Sequence, residues 1–311
     1  MNSLTVIMYH YVRDLKHSKY PNIKGLDISH FYSQISYLKH HYQFVTISEC
    51  IEAAYSESFK LPENSVLLTF DDGYIDHYEN VYPHLRKQGI QGVFFPPVKA
   101  IKYHQVLDVN KIHFILANIT EPTQVISDLK NLINEYSQEY HLESFDYYYT
   151  KLAHPNRFDT KDVVFIKHLL QKELETNIRH YLVDILFKKY VTINESDFAG
   201  ELYMTQTQLQ EMRDNNMYIG GHGYDHNWLN VLSPHEQNIE IGHTIHFLTE
   251  LGCDYTNWVM CYPYGAYNDS LLNILRQKDC KLAFTVQPGV TSLNKDVALT
   301  LNRWDTNDFI Q

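Results

Sequence analysis

Asp71 and Asp72 stand side by side at the end of the apolar run Ser65 to Phe70 and are followed by Gly73. Val66 to Phe70 reads as a short strand buried on both faces, the pattern of a parallel sheet. Adjacent carboxylates repel unless a cation or a strong donor sits between them. Gly73 lets the chain turn there without a Cβ penalty. Far downstream, Met217 to Ile219 is a second short apolar run, opening into Gly220, Gly221, His222, Gly223, Tyr224, Asp225 and His226. Among 18 histidines, His222 and His226 form the one pair spaced four apart. That spacing predicts two imidazoles on one side of a helical turn, able to reach one metal ion. Two histidines with one remote carboxylate, from Asp71 or Asp72, make a common catalytic zinc set that leaves a position open for water.

The elements that must position these residues alternate between strand and helix. Leu4 to Tyr9 reads as a strand ending on His10, Trp258 to Tyr262 as one running into Pro263, Tyr264 and Gly265, and Leu299 to Asn302 as one ending on Arg303, Trp304 and Asp305. Five strand-like segments thus carry polar residues at their C-terminal ends, the face on which α/β barrels build their sites. Helical spacing predicts helices over 29–41, 48–58 and 76–88, the last stopped by Gly89. Capping boxes open helices at Thr205/Gln208 and Ser233/Glu236. From about Lys99 to Gly200 the alternation stops. Residues 109–118, 123–138 and 161–190 read as helices, and Phe145, Tyr147, Tyr148 and Tyr149 form an aromatic patch. This helical insertion suits either a solvated cap or dimer contact, or a lid whose tyrosines meet sugar faces.

The chain resembles the polysaccharide deacetylases of carbohydrate esterase family 4, the chitooligosaccharide deacetylase-like group. Thr69 to Gly73 matches that family's first motif, and the resemblance implies Asp71 as catalytic base and Asp72 as metal ligand. His222 to His226 matches the second motif, implying two histidine ligands. Pro263, Tyr264 and Gly265 match most of the third, which lines the substrate groove. The family's later apolar-x-His motif is missing near the C-terminus, whereas Met8, Tyr9 and His10 show that pattern at the N-terminus. This resembles the circularly permuted branch that includes poly-N-acetylglucosamine deacetylases, and it implies His10 as general acid. Where the third motif has an arginine that holds the catalytic Asp, this chain has Cys261. Arg303 is the available substitute, with Asp305 as its expected partner, and Trp304 joins the substrate-orienting set. The expected fold is α/β, a distorted (β/α) barrel of about seven parallel strands with a helical insertion. Residues 1–98 and 200–311 would form the barrel and 99–199 the insertion.

The resemblance implies one divalent ion, zinc by the mixed N/O set, though cobalt, nickel or iron also suit it. It also implies an N-acetylated sugar or glycan precursor as substrate, with acetate and a free amine as products. Hydrolysis of another linear or cyclic amide on the same site is a second reading, and a sugar-binding protein without activity a third. At 311 residues, 44% hydrophobic and 20% charged, the chain has ample size for a core. A net charge of −11 without a basic stripe argues against nucleic acid as partner. Cys50, Cys253, Cys261 and Cys280 show neither metal spacing nor a disulfide framework and read as reduced thiols. Val6, Ile7 and Met8 are too short a run for a signal peptide, and no stretch approaches membrane-spanning length, so the expected location is cytoplasmic.

Overall fold

The computed structural model describes residues 2–157 and 159–308; Met1, Phe158 and positions 309–311 of the expected segments lie outside it. Among the described residues the strands are β1 (Ser3–Tyr9), β2 (Val12–Arg13), β3 (Leu26–Asp27), β4 (Gln43–Phe44), β5 (Ser65–Asp71) and β6 (Gly92–Phe95). They continue with β7 (Tyr218–Ile219), β8 (Val259–Cys261), β9 (Leu282–Phe284), β10 (Thr291–Ser292) and β11 (Trp304–Asp305). One sheet runs β10-β1-β5-β6-β7, with β11 also on β1 and β4 on β5. Every pairing in it is parallel except that of β10 with β1. β8 and β9 form a parallel pair of their own. Single parallel bridges join Gly221 to Met260 and Phe284 to Leu301. The fold is α/β with a parallel sheet, as the alternation of strands and helices requires.

β5 is buried at every position, which is why its sequence is nearly continuously apolar rather than alternating. One face packs Leu67, Val93, Phe95, Val259, Cys261, Leu282, Phe284 and Leu301 into a single core cluster. The helices begin where the capping signals place them. Thr46/Glu49, Thr205/Gln208 and Ser233/Glu236 each close a reciprocal capping box. The helix expected over 76–88 is instead π-helical over His77–Val81 and α-helical over Tyr82–Gln88. The change falls where Pro83 lacks the N–H that would bond back to Glu79.

The chain divides into two compact units. The first holds the N-terminal residues up to Asp14, Gly25–Gln105 and the chain from Ala199 onward, and the second holds Leu15–Lys24 and Val106–Phe198. The second unit is built from Asp108–Ala117, Thr123–Tyr136, Phe145–Leu152, Lys161–His168 and Thr176–Tyr190. Its interior contains Ile112, Phe114, Leu129, Phe165, Leu182 and Leu186. The continuous helix expected over 161–190 is interrupted by a π segment, Leu169–Glu173, after which Leu174 is extended. Of the three adjacent tyrosines, Tyr148 is buried and Tyr149 donates to Asp162, so two of them serve the unit's own packing. No helix among the described residues is long and apolar enough to cross a membrane.

Candidate active site

Strand register decides which residues meet. β1 and β5 pair with Tyr9 opposite Phe70, so His10 and Asp71 leave the sheet side by side at its C-terminal edge. His10 Nε2 lies 3.8 Å from Asp71 Oδ2, and the His10 side chain is 40% exposed while that of Asp71 is 3%. His77 Nε2 donates to the His10 carbonyl at 2.8 Å and anchors that strand end from behind. β6 carries Phe95 opposite Asp71. Gly220 donates its N–H to Phe94 and Gly221 to Val259, which brings His222 up beside Cys261 at the same edge.

The two adjacent aspartates have different partners. Asp71 receives a bidentate pair from Arg303, Nη1 to Oδ1 at 2.9 Å and Nη2 to Oδ2 at 2.7 Å. Arg303 is 1% exposed and also donates to Thr69 Oγ1, the Thr285 carbonyl and Cys261 Sγ. Burial works to raise the Asp71 carboxyl, yet the guanidinium prevails and holds it at about 2. Asp71 is therefore a fixed carboxylate with one side covered by a cation. The Arg303–Asp305 pairing expected from the sequence does not form, because Asp305 accepts from the backbone and side chain of Asn307 instead. Trp304 and Asp305 lie in β11, opposite Ile7 and Met8.

Asp72 turns the other way. Its φ is +72 and that of Gly73 +67, and a Cβ on Gly73 would stand 2.9 Å from Pro96 Cβ, so this tight reversal needs glycine. Asp72 Oδ2 accepts from the Tyr74 phenol at 2.5 Å. Burial, and then the neighbouring Asp72, push the Tyr74 phenol well up, so it stays a donor. Asp72 Oδ1 lies 3.3 Å from both His222 Nε2 and His226 Nε2, yet it is buried with no hydrogen bond among the described residues. Burial works to raise Asp72, and the two imidazoles facing it more than reverse that, holding it well below the carboxylate range. Burial lowers His226 and favours its neutral form. Three buried donors (one carboxylate oxygen and two imidazole nitrogens) within 4.8 Å of one another, with the oxygen orphaned, fit a divalent cation.

The histidine loop corrects one expectation. His222 and His226 do not sit on a helical turn: Gly223 has φ +75 and His226 φ +53, so the segment is an irregular loop. The histidines still meet, through backbone reversal rather than helical periodicity. Pro263 is buried in a 3-10 turn, where Tyr264 adopts φ 56 and stacks on Trp228 at 4.4 Å. Tyr74 and Trp228 are not among the residues that the sequence marks for chemistry. The position of Tyr74 directly after the Asp-Asp-Gly turn was the one signal available for it.

A family model described as polysaccharide deacetylase matches residues 59–142 and 161–283, more than half of the chain. The chain belongs to the polysaccharide deacetylase family. Both sides of the orphaned cluster, Asp72 and the two histidines, fall inside that match, whereas His10 and Arg303 lie outside it. The curated "Putative polysaccharide deacetylase YxkH" of Bacillus subtilis is 28% identical over 90 residues, 29% of this chain and 32% of that protein's length. This polysaccharide deacetylase family chain also resembles solved structures across nearly all of its length. The Streptococcus pyogenes deacetylase PplD in complex with acetate superposes with TM-score 0.57 at 18% identity, covering 97% of this chain and 92% of that one. IcaB from Ammonifex degensii gives TM-score 0.54 at 19% identity, with 97% and 91% covered. At such identities the likeness is one of fold.

Proposed function

We propose that this chain is a metal-dependent carbohydrate N-deacetylase, releasing acetate and a free amine from an N-acetylated amino sugar or glycan precursor. The observation that carries the reading is the contrast between the two aspartates: Asp71 clamped by Arg303, Asp72 left with an orphaned oxygen between two imidazoles. Asp72, His222 and His226 would hold the ion. When bound there, a divalent ion, zinc or else cobalt, nickel or iron, polarises an acetamide carbonyl and acidifies water.

The chain's own residues supply the rest. Asp71, ionised and held by Arg303, takes the proton from the attacking water. A backbone N–H near Tyr264 meets the oxygen on which negative charge develops. His10, half-buried and beside Asp71, delivers a proton to the departing nitrogen, which leaves as a neutral amine while the acyl group leaves as acetate. Pro263 and Tyr264 form one wall of the groove, with Trp304 and Asp305 assigned to orienting the sugar. In this reading residues 1–98 and 200–311 form a distorted barrel and 99–199 its helical insertion. The bridges from Gly221 to Met260 and from Phe284 to Leu301 extend the parallel pairing and support the barrel. His10, directly after the first strand, fits the permuted branch of the family.

The test is metal analysis joined to acetate release from a panel of N-acetyl sugars and oligosaccharides. Asp71→Asn should keep the metal and lose turnover, because an amide cannot take the water's proton. Asp72→Asn should lose metal. Metal content changing in the opposite order would show the roles reversed.

A further inference from the structure

His222 and His226 both aim Nε2 at Asp72 Oδ1, but different forces hold the two rings. His222 Nδ1 donates to the Cys261 carbonyl at 2.9 Å, the usual way in which the far nitrogen of a ligating imidazole is fixed. His226 Nδ1 is buried and has no hydrogen-bond partner among the described residues. What surrounds the His226 ring is aromatic. Tyr264 meets it edge to face at 4.7 Å and 69°, and His222 does so from another side at 4.9 Å and 70°. Tyr264 in turn lies flat on Trp228, with centroids 4.4 Å apart and planes 7° from parallel. His226 and Tyr264 both occupy the left-handed backbone region, φ 53 and 56. Non-glycine residues persist there only when their surroundings hold them.

We infer that the Trp228–Tyr264 stack is a positioning device for His226, whose Nδ1 has no hydrogen-bond partner among the described residues to fix the ring. Offset or edge-to-face aromatic contacts favour particular geometries, so two such contacts in series can set a ring's direction. Trp228 offers no donor atom to the ion, yet affinity for the ion depends on it. The inference rests on Asp72, His222 and His226 being the ligands, and it adds a requirement that those ligands alone do not imply.

The test uses the whole chain, stripped with a chelator and titrated with Zn2+ against a chromophoric chelator that competes for the ion. Wild type should take up one ion; if it takes up none, the ligand reading falls and this inference with it. Given uptake by wild type, Trp228→Ala should weaken affinity by roughly 10- to 100-fold, the usual effect of losing an outer-shell partner. Trp228→Phe, which restores a ring to stack, should recover most of it. The melting temperature of the metal-free protein is read alongside. A merely structural role would lower that temperature in Trp228→Ala and leave affinity unchanged, and this would overturn the inference. If Trp228→Ala does not fold, Trp228→Leu keeps bulk without a ring, and wild-type affinity in that variant would overturn it equally.

Discussion

Asp71 and Asp72 show how far two neighbouring residues of one type can diverge. The difference comes from the peptide between them, which turns Asp72 into the left-handed region while Asp71 completes a strand. Arg303 then fixes the protonation state of Asp71. A carboxyl whose folded pKa lies below its unfolded value stabilises the fold at pH above the unfolded value, and that stability is lost as pH falls through the folded one. For Asp71 the window runs from about 3.8 down to about 2. Arg303→Gln should therefore destabilise the protein by about 3–5 kcal/mol near neutral pH, since it leaves a buried carboxylate without its cation. Stability of wild type should fall across the acid window, and the variant should lose much of that dependence. Urea unfolding at several pH values reads both, and a variant with an unchanged midpoint at neutral pH would refute the pairing's importance. Cys261 is legible in the same terms: its thiol stands 3.4 Å from Asp71 Oδ2, with the Arg303 guanidinium 2.8 Å from the sulfur, so the cation absent from position 261 arrives from the residue just before β11.

At the scale of elements, parallel register does the positioning. Tyr9 opposite Phe70, Phe95 opposite Asp71 and Gly221 bridged to Met260 put His10, Asp71, Asp72 and His222 on one edge. Gly220 lies tight against both β6 and β8. A Cβ there would stand 2.6 Å from Phe95 Cε1 and 2.8 Å from the Val259 carbonyl oxygen. The second of these is backbone and cannot rotate away. Gly220→Ala should destabilise by about 1–3 kcal/mol, the usual cost of overpacking a filled interior. It should also weaken metal binding, because His222 is two residues on. A urea midpoint equal to that of wild type would mean the strands yield more easily than this packing implies.

At the scale of the molecule, the cluster is assembled from distant stretches of chain, Asp72 from one and His222 with His226 from another. The unfolded chain has no such site, so an ion that binds the folded state stabilises it by mass action. Free Zn2+ at 100 times its dissociation constant adds about 2.7 kcal/mol. Thermal unfolding should move up with Zn2+ and down with a chelator, while Asp72→Asn should be indifferent to both. An equal shift in that variant would place the ion elsewhere.

The sequence alone determined the identity of the acid pair, the two histidines and the parallel strands, because each is written locally: apolar runs of strand length, glycine at the reversals, capping boxes at helix starts. It also pointed to Arg303 and His10, but through resemblance rather than through local pattern. Tertiary structure decided what those residues touch. That His226 reaches Asp72 through a left-handed backbone instead of a helical turn, and that Trp228 backs Tyr264, depend on contacts between segments remote in the chain. Periodicity records which face of an element is buried, but it does not record register between elements, and register is what brings Arg303 under Asp71.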